Sequence, residues 1–135
     1  METLVRHGQT VNKMYEAFNK GDIPFIISKL HTDAIIECMG QPDIPYAGIY
    51  HGKNDVKQFF EKMNDHVEWK EFVTEHILEN GNIVIATGYA KGTARKNKKL
   101  LSSIWSMIFE FNDEGKVVHL RDCFDTNAFA KAFTK

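Results

Sequence analysis

The sequence has two cysteines, no long apolar run and almost no excess of charge of either sign. Cys38 and Cys123 lie far apart and lack metal-ligand spacing. That excludes a disulfide framework and predicts free thiols in a reducing cytoplasm. No apolar stretch approaches the roughly 20 residues of a membrane span, and residues 1–10 carry none of signal-peptide length. A formal net charge of −1 leaves no basic footprint for nucleic acid or an anionic membrane surface. No His, Cys, Asp and Glu cluster has metal spacing, so neither a metal nor a cofactor is expected. No repeat, low-complexity tract or linker divides the 135 residues, and a 43% hydrophobic content predicts one domain over 1–135 with a sizeable core. Ten Phe in a chain that is 12% aromatic point to an interior of large residues or one built around a pocket.

The apolar pattern changes period along the chain. Val11, Met14, Tyr15 and Phe18 follow i, i+3, i+4, i+7 spacing and predict a helix that Gly21 ends. Asp22 caps a second helix, with Pro24 in its first turn and Phe25, Ile26, Ile27 and Leu30 on its apolar face. A third follows Asn54, carrying Val56, Phe59, Phe60 and Met63. Between these two helices, 34–39 reads as a strand and 40–52, punctuated by proline and glycine, as a long loop. From Trp69 the pattern alternates, with strands at 69–78, 83–94, 100–111 and 116–124. Hairpin signals separate them, and a short helix follows over 126–133. Helices first and a strand meander after predict an α+β fold: a curved antiparallel sheet forming a cone, packed with N-terminal helices around an apolar pocket.

Three segments carry a family resemblance. They are Tyr15-Glu16-Ala17-Phe18-Asn19-Lys20-Gly21-Asp22, then Pro45-Tyr46-Ala47-Gly48-Ile49-Tyr50-His51-Gly52, then the run from Gly115 through Arg121-Asp122-Cys123-Phe124-Asp125. Together they resemble SnoaL-like polyketide cyclases and ketosteroid isomerase-related proteins of the nuclear-transport-factor-2-like superfamily. The resemblance implies the cone, its pocket, and either an enzyme or a binding protein. In ketosteroid isomerases the base would fall at Cys38, the second acid at Met107, and the oxyanion tyrosine near Met14 or Tyr15. In limonene-epoxide hydrolases an Arg–Asp pair would fall at Gly88 and Ala90, with the last aspartate at Asp122. Neither set is complete in this chain. A SnoaL-type cyclase needs an acid–base aspartate in an apolar pocket, which Asp122 supplies.

The residues point the same way without the family. Strand alternation places Val118, Leu120, Asp122 and Phe124 on one face of the last strand, leaving a single carboxylate among apolar side chains. Leu101, Ser103, Trp105, Met107, Phe109 and Phe111 form the inner face of the preceding strand, beside the small Ala86, Gly88 and Ala90. Small residues next to large ones either leave a cavity or are covered by other side chains. The expected ligand-binding residues are Ile36, Cys38, Tyr46, Phe59, Trp105 and Met107, around a catalytic Asp122 whose pKa burial raises. Asp125 is expected to cap the last helix, and Arg121 to point away. His31, His51 and His66 fall near helix ends or loops, and His76 and His119 on strands; all are read as structural.

Leu4-Val5-Arg6-His7-Gly8-Gln9-Thr10 matches the histidine phosphatase signature. An antiparallel meander does not supply the parallel βα segments that would bring up its partners. Two functions remain: an acid–base isomerase, cyclase or lyase acting on a small apolar carbonyl-containing molecule, or a non-catalytic ligand-binding or dimeric interaction module. A homodimer through the outer sheet face is expected in either case.

Overall fold

The computed structural model describes residues 7–134, so Leu4, Val5 and Arg6 of the phosphatase-like run lie outside the described residues. Helix α1 (His7–Lys20) buries Val11, Met14 and Tyr15 from its apolar stripe. Its first turn is capped from a distant strand, since the Glu79 carboxylate accepts from His7 N at 3.1 Å and Gly8 N at 3.0 Å. Gly21 reverses the chain, and Asp22 accepts from Phe25 N at 3.2 Å to start α2 (Ile23–Ser28). Strand β1 (Leu30–Cys38) begins earlier than the alternation suggested.

The loop expected over 40–52 contains a strand, β2 (Gly48–His51), which pairs antiparallel with β1. Helix α3 (Gly52–His66) starts ahead of Asn54 because the Asp55 carboxylate accepts from His51 N at 3.3 Å, satisfying a donor at the helix entrance. The meander follows as β3 (Val67–Asn80), β4 (Ile83–Ala94), β5 (Leu100–Phe111) and β6 (Val117–Phe124). Asp125 accepts from Ala128 N at 3.0 Å and caps α4 (Thr126–Phe133), as its position suggested.

The six strands form one α+β sheet in the order β2-β1-β6-β5-β4-β3. The meander is antiparallel, as expected, and so is the β1–β2 pair. The β1–β6 pair is parallel, which makes the sheet mixed. Two irregularities in β3, between Trp69 and Glu71 and between Thr74 and His76, bend it sharply against β4. Opposite them lie Gly92 and Gly88. A Cβ built on Gly88 would come 1.9 Å from Val73 O, and one on Gly92 2.4 Å from Glu68 O, so only glycine fits this close approach. The bends curl the open sheet, and α1, α3 and α4 pack against it. Among the described residues no helix is long and apolar enough to cross a membrane.

Candidate functional site

The concave face holds one row of side chains drawn from neighbouring strands. Asp122 on β6 pairs with Cys38 on β1 to one side and with Met107 on β5 to the other. Leu120 and Phe124 flank Asp122 on its own strand, and Trp105 and Phe109 flank Met107. The alternation that put these positions on one face is therefore the one observed, except at Val118: an irregularity opposite Glu110 and Phe111 puts Val117 in the core in its place. All of that row but Cys38 border an apolar cavity of about 80 Å³, on the scale on which a single water needs about 10–15 Å³.

Of the residues expected there, Ile36, Tyr46, Phe59, Trp105, Met107 and Asp122 line the cavity. Cys38 does not. Its short side chain ends against the carboxyl, with Sγ 3.9 Å from Asp122 Oδ2, and does not reach the cavity surface. The small residues of β4 are partly covered: a Cβ at Gly88 would lie 2.7 Å from Trp105 Cζ2, so the indole occupies the space the glycine leaves. Ala90 reaches the cavity itself.

Tyr15 and Phe72 are wall residues that strand faces alone did not single out. Tyr15, Trp105 and Phe72 form a ring stack, with Trp105 5.1 Å from each neighbour. The Tyr15 hydroxyl donates to Met107 Sδ at 3.0 Å. Tyr15 was legible in the α1 stripe, whereas the bulges of β3 hid the face of Phe72. Phe18, Phe60 and Phe72 also border a wider outer groove between α1, α2, α3 and β3, and so stand between the cavity and the surface.

Asp122 is 9% exposed. Removal from water pushes its pKa up to about 7, against a smaller opposing effect from the Cys38 thiol. Burial likewise pushes the Cys38 thiol up, and the negative charge of Asp122 adds to it. Tyr15 and Tyr46 are raised mainly by desolvation and further by the Asp122 charge. These groups hold their protons while Asp122 exchanges its own near neutrality.

Tyr46 belongs to the segment between β1 and β2, where its carbonyl accepts from Tyr50 Oη at 2.9 Å. Its own hydroxyl is buried and has no hydrogen-bond partner among the described residues, and the same holds for Trp105 Nε1. Buried polar groups are paired in the great majority of proteins, so two orphaned donors in one cavity are unusual.

The histidines lie elsewhere. His76 is exposed on β3. His119 is bonded to Glu37 Oε2 at 2.5 Å, and Arg121 Nε lies 3.5 Å from the same oxygen, so both belong to a cluster pointing away from Asp122. Both cysteines are free. Among the described residues no group of His, Cys, Asp and Glu is placed to hold a metal.

A family model described as a SnoaL-like domain matches residues 11–120. No curated protein matches the sequence. An NTF2-like protein of unknown function from Burkholderia pseudomallei is similar at 25% identity, over 97% of this chain and 100% of its own, with a TM-score of 0.87. A candidate polyketide cyclase from Pseudomonas putida is 20% identical over 97% of this chain and 100% of its own, with a TM-score of 0.79. TerC, co-crystallized with polyporic acid, is 20% identical over 94% of this chain and 97% of its own, with a TM-score of 0.81. The last two likenesses establish the shared fold.

Proposed function

The chain belongs to the SnoaL-like domain family, and from that premise we propose that it is an acid–base isomerase, cyclase or lyase acting on a small apolar carbonyl-containing molecule. The observation that carries this reading is Asp122: one buried carboxyl, held near a pKa of about 7, on the wall of an otherwise apolar cavity. At neutral pH such a group is populated in both protonation states, so it can remove a proton and return it. As carboxylate it takes a proton from the carbon beside the carbonyl, and the electron pair moves onto the oxygen. As acid it delivers the proton to a carbon of the resulting enolate.

The incomplete ketosteroid isomerase and epoxide hydrolase sets fit this single-acid scheme. Cys38, Met107, Gly88 and Ala90 supply no second carboxylate or guanidinium. The structural neighbours include a candidate polyketide cyclase and a protein holding polyporic acid, which supports a small-molecule substrate. The proposal extends to a homodimer through the outer sheet face, supported by Ile104 at 78% and Ile49 at 71% exposure. Two unpaired thiols fit a cytoplasmic location.

The test is deuterium incorporation at the carbon next to the carbonyl of α-tetralone in D2O, read by mass spectrometry. The wild type is expected to exceed Asp122→Asn by at least ~100-fold. Equal rates would overturn the acid–base reading and leave the binding module.

A further inference from the structure

From the two orphaned donors we infer that the cavity takes a flat, uncharged ring compound carrying two oxygen acceptors, one held by the Tyr46 hydroxyl and the other by the Trp105 indole N–H. The inference rests on the Asp122 cavity being the functional site, and it names what that site recognises. Tyr46 is 2% and Trp105 5% exposed, both line the cavity, and neither polar atom has a partner among the described residues. Other buried donors nearby are engaged, the Tyr15 hydroxyl on Met107 Sδ and the Cys38 thiol on Asp122.

The two residues come from elements on opposite sides of the strand that carries the acid. Strand β6, which carries Asp122, runs between β1 and β5. Tyr46 belongs to the segment that leaves β1, and its hydroxyl lies near enough to Asp122 to feel the carboxylate's charge. Trp105 lies on β5, one inward position along from Met107, which pairs with Asp122. A ring held at both ends lies across the carboxyl, with carbon atoms between its oxygens presented to it.

The rest of the wall sets the ligand's other properties. Tyr15, Trp105 and Phe72 lie on the cavity wall with interplanar angles of 22° to 29°, an aromatic surrounding that suits a planar ring compound. Among the described residues no Lys, Arg or His is on the cavity wall, so none of them compensates an anion there. A buried donor built to bond an oxygen discriminates strongly against an analogue that lacks one, because binding the analogue leaves it unpaired.

Chromone and naphthalene test this, being flat fused rings of similar size of which only chromone carries two oxygens. By titration calorimetry chromone is expected to bind at least tenfold more tightly than naphthalene. Tyr46→Phe, which removes only the hydroxyl, should weaken chromone about tenfold and leave naphthalene within about twofold. The indole N–H resonance of Trp105 in the wild type gives a reading that needs no variant: chromone should move it downfield and naphthalene should not. Equal affinities, or an indole resonance unmoved in the chromone complex, would overturn the inference. Neither readout depends on turnover. A chromone preference without deuterium exchange would uphold the two-acceptor ligand and remove the acid–base reading. Exchange without that preference would do the reverse.

Discussion

Cys38 faces Asp122 directly across the parallel β1–β6 pair, and its thiol proton is the hydrogen bond that the carboxyl receives, at an Sγ–Oδ2 distance of 3.9 Å. A thiol is a weak donor, so this contact stabilises the carboxylate little and burial dominates. The position next to the acid is thus held by a group that stays neutral.

Stability should depend on pH in a direction opposite to that of a salt-bridged carboxylate. Asp122 titrates near 3.8 when exposed and near 7 in the fold, so the folded state carries the extra proton between those values. Its contribution is fully present below pH 4 and is lost as pH rises to 7, by about 4 kcal/mol in all. Glu37, lowered by its bond to His119, works in the other direction. Urea denaturation of wild type minus Asp122→Asn at stepped pH isolates the effect: the difference should slope from pH 4 to 7 and flatten above.

Gly88→Ala should be severe. The new methyl would meet Val73 O and the Trp105 ring, so either β3 or the indole must move, at a cost of about 3 kcal/mol or more. Gly81→Ala has open space and suffers only its left-handed backbone, about 1 kcal/mol. Chemical denaturation of both variants is the comparison, and similar losses would refute the close approach.

Ile104→Glu places a charge at the centre of the outer face without touching the cavity. Wild type should sediment at twice the chain mass and the variant at the chain mass, with chromone affinity unchanged. A wild type that sediments as a single chain would remove the dimer.

Phe60→Ala should open a path. The ring stands 6.3 Å from Phe18 and borders both the cavity and the outer groove. Stopped-flow tryptophan fluorescence is expected to show naphthalene associating several-fold faster, with stability reduced by about 2 kcal/mol. An unchanged rate would place the entrance elsewhere.

The parts of the molecule governed by local pattern were legible. Strands β4 and β5 and helix α4 begin and end where the alternation and hairpin residues say. Strand β2 escaped because Gly48-Ile49-Tyr50-His51 is four residues long, and its Ile49-out, Tyr50-in alternation is too short to stand out beside two prolines. The parallel β1–β6 pairing leaves no mark on either segment, since pairing partners are a property of the whole chain. The bulges put Trp69 and Phe72, three positions apart, on one wall, which simple alternation forbids. Cys38 was expected on the cavity wall, but face assignment carries no information on how far a short side chain reaches. The missing partners of Tyr46 and Trp105 exist only once every neighbour is in place.

The parallel β1–β6 pair also orders events in time. Residues 30–38 leave the ribosome well before the strand they need, at 117–124. Until then β1 can pair only with β2, and Cys38 has no carboxyl to face. Closing so long a loop is slow compared with forming α1 or the meander hairpins. The acid, both donors and the wall that separates them from water therefore come together in one late step, so a nascent or truncated chain offers no half-built cavity in which to trap an apolar molecule.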